Sequence, residues 1–263
     1  MTDNNLQQLS NTFFAVLLSY IITDSITQTK AWFGDSRRPA AYLLRGLVHL
    51  GITMLSLALF ARSVFEPSFR LLWVLVYLAV NAVIDRISRT TNGARPSDGG
   101  AWPFAIKQFL HICAVLALVV LVVGVSPQTV ARATEFFNSI GSKALSAITI
   151  YAGTVFAGGY LIRRLTRPLA DQIHEPHREQ IGLENAGMYI GWLERWLIVT
   201  AVLMQSPAIV GLIVAGKSIA RFPEMNDPRF AEYFLIGTFL SVALAIAGGM
   251  LIQLIWNGAV QFK

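Results

Sequence analysis

Charge is scarce in this 263-residue chain: Asp, Glu, Lys and Arg together make up 14% of it, where a soluble domain carries about 25%. That shortfall excludes an ordinary soluble globule. Cysteine is scarcer still. The single Cys113 excludes an internal disulfide and leaves no thiolate pair for a metal. No phosphate-cradling glycine loop, nucleophile elbow or zinc-protease motif is present. The opening MTDNNLQQLSN has no basic stretch ahead of an apolar run, so a cleaved secretory signal is not expected.

What the chain has in abundance is apolar sequence, 54% of all residues, gathered in blocks. Several blocks approach the ~20 residues that cross a bilayer as a helix. Backbone groups inside lipid need internal partners, so such blocks must be helical. We read eight segments, at about 12–27, 42–60, 71–84, 102–125, 144–162, 188–204, 208–220 and 233–255. The seventh, with about 13 residues, is short for a full crossing. The expected fold is all-α: a polytopic transmembrane helical bundle of about seven or eight membrane segments, with a duplicated N-terminal helical hairpin. Three regions follow: two repeated hairpins at 1–125, an interfacial helix, fifth membrane helix and cytoplasmic loop at 126–185, and C-terminal helices at 186–263.

Basic residues set the orientation. Loops after segments one, three, five and seven hold twelve arginines and lysines against five on the other side. The first group is therefore expected in the cytoplasm, with both termini facing outward. The formal charge of +6 needs no nucleic acid to explain it. The expected location is a membrane, with the lipid bilayer as the principal partner.

Two stretches share one arrangement. In 20–49, Asp24 leaves one apolar segment and Arg45 and His49 enter the next; in 81–111, Asp85 leaves and Lys107 and His111 enter. Acid and His are 25 positions apart in the first and 26 in the second, and the basic residue precedes the His by four in both. Residues four apart share a helix face. Ionisable groups in membrane segments cost about 2.5–3.5 kcal/mol at mid-helix and mark function by default. Asp24, Arg45, His49, Asp85, Lys107, His111, Glu194, Arg195, Lys217 and Glu232 all fall in the cytoplasmic half under this orientation. Snorkelling and mutual pairing at helix ends is the competing, purely structural explanation. The HEPH stretch (His174, His177) reads as a solvated loop, and 130–140 as a helix lying in the interface.

Asp24, His49, Asp85 and His111 are a donor set for zinc or another divalent metal. Arg45 and Lys107, on the faces of the histidines, oppose a metal and favour a charge-paired or anion-binding cavity. No cofactor is expected, with a divalent metal at those four residues as the alternative.

These residues resemble a bacterial membrane family known as domain of unknown function 3307. Its pattern places His-x-x-x-Asp and then Gln in the first helix and a His in the second, followed by a second His-x-x-x-Asp and Asp-Gln-x-x-His. Asp24, Gln28 and His49 match the first part; Asp85, Gln108 and His111 match the second. GWLERWLI with Glu194, GKSIARF with Lys217 and Arg221, and AEYFLIGTFLS with Glu232 look similar to its C-terminal part. The chain departs from the pattern at Tyr20 and Asn81, which stand at the two first-His positions, and at Lys107, which replaces an aspartate. The resemblance implies a fold and the location of a site, and brings no activity with it.

The expectation is a cytoplasm-open polar pocket of Asp24, Gln28, Arg45, His49, Asp85, Lys107, Gln108 and His111. Arg45 and Lys107 would partner the two acids, and the C-terminal helices would close it. Glu194, Lys217, Arg221 and Glu232 form a further, C-terminal cluster. No residue is assigned as catalytic. A binding, sensing or effector protein ranks first, with a cytoplasmic protein partner, an anionic ligand or a second copy of the chain as its partner. A membrane-embedded metal-dependent hydrolase of phosphate or lipid head groups, and an ion or small-solute transporter or channel, are the alternatives.

Overall fold

The computed structural model describes residues 3–27, 39–65, 69–91, 101–124, 140–171 and 186–257. Among them the chain is all-α, without a strand. The helices are α1 Asp3–Thr27, α2 Pro39–Phe60, α3 Phe69–Thr91, α4 Ala101–Val119, α5 Ile140–Ala152, α6 Gly158–Ala170, α7 Ala186–Leu203, α8 Pro207–Ala220 and α9 Pro228–Asn257. Pro39, Pro207 and Pro228 each open a helix. There the missing N–H is one that would have no helical partner, and φ is already suitable. The expected interfacial helix at 130–140, Gln28 and the HEPH histidines lie wholly or almost wholly outside the described residues.

Four stretches are long and apolar enough to cross a membrane: Ala105–Val122, Lys143–Ala170, Ala186–Leu203 and Pro228–Asn257. Leu44–Phe60 and Pro207–Ala220 are apolar but shorter. The remaining helices, α1 and α3, have the length, with 25 and 23 residues, but are more polar. On α1 that polarity is turned inward: Ser10, Thr12, Ser19, Thr23 and Asp24 are all buried. Outward, the chain presents large apolar side chains such as Leu47, Phe109, Leu193, Leu212 and Phe239. That is the inverse of a soluble protein's surface and is suited to lipid.

The chain divides into two compact units, Met1–Ala152 and Gly153–Lys263. In the first, α1 is the central helix, packed against α2, α4 and α5. Phe14, Val16, Leu57, Val74, Val115, Leu118 and Leu145 form the apolar core. Hydroxyls tie the helices where the core is polar. Ser56 Oγ donates to the Ala15 carbonyl at 2.7 Å, and the hydroxyls of Ser19 and Thr53 lie 3.1 Å apart.

In the second unit α9 packs against α6 and α7. A Cβ added at Gly158 would strike Leu244, one at Gly248 would strike Thr154, and one at Gly249 would meet Val202 Cγ1 at 2.7 Å. These glycines serve close helix packing within the unit. Between α7 and α8, Gln205 adopts a left-handed backbone with φ 56. Ser206 N–H donates to the Ala201 carbonyl at 2.9 Å and Gln205 N–H to the Val202 carbonyl at 3.0 Å. This pair of bonds, followed by Pro207, is the Schellman ending of a helix. The junction between the apolar segments 188–204 and 208–220 is therefore a capped turn.

Candidate functional site

The two acid-bearing helix ends and the two His-bearing helix starts meet inside the first unit. Lys107, on α4, places its Nζ 3.0 Å from Asp24 Oδ1 on α1 and 2.9 Å from Asp85 Oδ1 on α3. Gln108 reinforces the same corner. Its amide donates to Asp24 Oδ2 at 3.4 Å, and its Oε1 accepts from the Tyr20 hydroxyl at 3.0 Å. Lys107 and Asp24 are well shielded, with side chains 15% and 10% exposed, while Asp85 at 36% lies nearer the surface.

The Lys107 ammonium thus reaches both acids. Arg45 stands on the wall of a neighbouring cavity of about 100 Å³. Tyr20, Thr23, Asp24, Gly46, His49, Leu78, Ala82, Asp85 and His111 complete that wall. Every lining residue belongs to the first unit.

His111 is fully buried and held on three sides. Its Nδ1 faces Asn81 Oδ1, its ring stacks on Tyr20 with centroids 4.3 Å apart, and its Nε2 lies 3.6 Å from Asp85 Oδ1. Asn81 Nδ2 donates to the Tyr77 carbonyl at 2.7 Å, which turns Oδ1 toward the histidine. A carbonyl oxygen only accepts, so Nδ1 of His111 carries the hydrogen. His49 sits between Tyr20 and Tyr77, with ring centroids at 6.5 and 6.0 Å.

The ammonium of Lys107 lies within 3.0 Å of both carboxylates, and a fixed cation opposes a divalent metal there. Among the described residues no group of three or more His, Cys, Asp or Glu side chains is arranged to hold a metal ion.

The C-terminal cluster is brought together only in part. Lys217 Nζ is 2.7 Å from Glu194 Oε2 and 5.5 Å from the centre of the Phe234 ring. Arg221 pairs with Glu224 at 3.0 Å, and Glu232 is exposed. Arg195, named in the sequence but assigned no role, is buried, 4% exposed, in the second unit. Its Nε donates to the Val155 carbonyl at 3.0 Å and its Nη1 to Ser241 Oγ at 3.2 Å. Val155 lies in a π-helical turn, Gly153–Ala157. Such a turn shifts the backbone bonding register and is a recurrent feature of functional segments.

Sequence reasoning placed Tyr20 and Asn81 only as departures from a pattern. Their position four residues before each aspartate already put them on the acid-bearing face. In the structure they are the side chains that hold Gln108 and His111.

No curated protein and no solved structure matches the chain. A family model described as protein of unknown function (DUF3307) matches residues 12–138. The matched stretch contains every lining residue of the cavity together with Lys107 and Gln108, and the C-terminal strings around Glu194, Lys217 and Glu232 lie beyond it. Over residues 12–138, then, the chain is similar to that family of unknown function.

Proposed function

We propose that the chain is a multi-pass protein of a bacterial inner membrane whose N-terminal unit binds or senses a small polar ligand at the Asp24–Lys107–Asp85 cluster. The observation that carries this is the single ammonium shared by two carboxylates beside a small polar cavity. Both acids are engaged by Lys107, which suits neither a nucleophile nor a general base. At about 100 Å³ the cavity is smaller than the roughly 300–1,000 Å³ of pockets that enclose organic substrates. It has room for a few waters or a small ion. The excess of basic residues in one set of loops puts the acid-bearing helix ends on the cytoplasmic side, where a protein partner could read the bound state. The two acid–base–His stretches are best understood as copies of one hairpin.

The test is a thermal-stability titration of the full chain in lipid nanodiscs. Sodium, ammonium, phosphate and acetate salts are compared at matched ionic strength, for the wild type and Asp85→Asn. A binding role predicts a saturable rise in midpoint with at least one ion, lost in Asp85→Asn. No rise with any of them contradicts it. Phosphate-ester hydrolysis or proteoliposome flux abolished by Asp85→Asn would replace it with an enzyme or a transporter.

A further inference from the structure

The cavity of the first unit is lined by Asp24, Asp85, Arg45, His49 and His111, with Lys107 Nζ 3.0 Å from the first carboxylate and 2.9 Å from the second. Two acceptor atoms meet there, and of these only Asp85 Oδ1 has a donor, the Lys107 ammonium at 2.9 Å. Because Asn81 takes the hydrogen on His111 Nδ1, the Nε2 atom is an acceptor in the neutral ring. Nε2 is buried and has no hydrogen-bond donor among the described residues. It faces Asp85 Oδ1, another acceptor, at 3.6 Å. Two acceptors turned toward each other repel unless a donor or a cation stands between them. Asp24 supplies a second carboxylate to the same wall.

We infer that the cavity is a site for a small monovalent cation, an alkali ion or ammonium, bound by Asp85, Asp24 and His111 Nε2 in competition with the ammonium of Lys107. Lys107 is then a tethered resident cation: it neutralises the acids when the site is empty and yields them when the cation arrives. Formal charges explain why exchange is needed. Asp24 and Asp85 are matched by Lys107 and Arg45 around the cavity, so a further cation is accommodated only as Lys107 withdraws. A divalent ion, with twice the charge and a stricter demand for several anionic ligands, is disfavoured beside two fixed cations. This inference rests on the binding role proposed above and adds the sign and size of the ligand.

Stability of the full chain in nanodiscs is measured against sodium, ammonium and methylammonium chloride, with choline chloride, too large for the cavity, holding ionic strength constant. Three forms are compared: wild type, Lys107→Ala, and Glu194→Gln, which alters an ion pair of the other unit. The expected result is a saturable, choline-insensitive rise in midpoint for the wild type and for Glu194→Gln. Removing the tethered competitor should tighten the apparent Kd in Lys107→Ala by roughly tenfold or more. If Lys107→Ala does not fold in choline, recovery of its folding by methylammonium is the same outcome. Stabilisation by phosphate but by no cation would overturn the cation site and leave the binding role standing; no effect of any salt overturns both. Equal apparent Kd in wild type and Lys107→Ala overturns the competition.

Discussion

Asn81 accepts a hydrogen bond from His111, and through it decides which nitrogen of the buried ring is left to face Asp85. The asparagine is itself held by its bond to the Tyr77 carbonyl, 2.7 Å away on the same helix. A residue that looked like a lost histidine in the sequence is thus a fixed acceptor. Replacing it with the near-isosteric leucine, Asn81→Leu, strands the Nδ1–H of a fully buried histidine. The expected loss is about 1–3 kcal/mol, read from the free energy of unfolding in mixed detergent micelles. A change within about 0.5 kcal/mol, as for a surface substitution, would show that the bond does not organise the site.

Gln205 ends α7 in the left-handed region with φ 56, where a side chain pays a steric penalty and glycine does not. The flanking bonds from Ser206 and Gln205 N–H are main-chain bonds that any residue keeps. Gln205→Gly is expected to stabilise the second unit by about 1 kcal/mol, seen as a raised unfolding midpoint. A lowered midpoint would mean that the glutamine side chain contributes more than the backbone costs.

Arg195 lies over two glycines. A Cβ at Gly159 would strike its Nη2 and lie 3.4 Å from Trp192 Nε1, and one at Gly191 would lie 3.3 Å from its Nη1. The guanidinium cannot swing away freely, because Val155 and Ser241 hold it. Gly159→Ala should therefore cost about 1–3 kcal/mol in the wild type and distinctly less in an Arg195→Met background. Equal penalties in the two backgrounds would dissociate the glycine from the arginine.

Cys113 is the chain's one thiol and is exposed on α4, within the apolar stretch Ala105–Val122. If that stretch spans a bilayer, the thiol faces lipid. In sealed vesicles a charged, membrane-impermeant maleimide should leave it unmodified, and SDS should expose it to full labelling. Rapid labelling in intact vesicles would contradict a lipid-facing α4.

Much of this was legible in the sequence. Apolar runs give most of the helices, and in the structure Pro39, Pro207 and Pro228 begin three of them. The four-residue spacing of Arg45 and His49, and of Lys107 and His111, put basic and His side chains on common faces. The pairing across helices was not legible. Lys107 and Asp24 are 83 positions apart, and local periodicity carries no information on which acid a lysine reaches. Nor does the symmetry of the two stretches show that the one ammonium of Lys107 reaches both acids. Likewise, nothing local indicates that Arg195 reaches a carbonyl in the π-helical turn, because that register shift arises from packing. Polar residues on α1 lowered its apparent suitability for a membrane, yet they are the ones turned inward.

Double-mutant cycles at Lys107 test the central claim most directly. The free energy of unfolding is measured for Lys107→Met, Asp24→Asn, Asp85→Asn and the two doubles containing Lys107→Met. The ion-pair distances are nearly equal, 3.0 and 2.9 Å, so shielding decides their ranking: Asp24 is 10% exposed and Asp85 36%. A coupling of about 1–3 kcal/mol is expected between Lys107 and Asp24. Solvent screening should hold the coupling between Lys107 and Asp85 to about 0.2–1 kcal/mol. Strict additivity in both cycles would contradict a shared ammonium, and with it the site on which the proposed function depends.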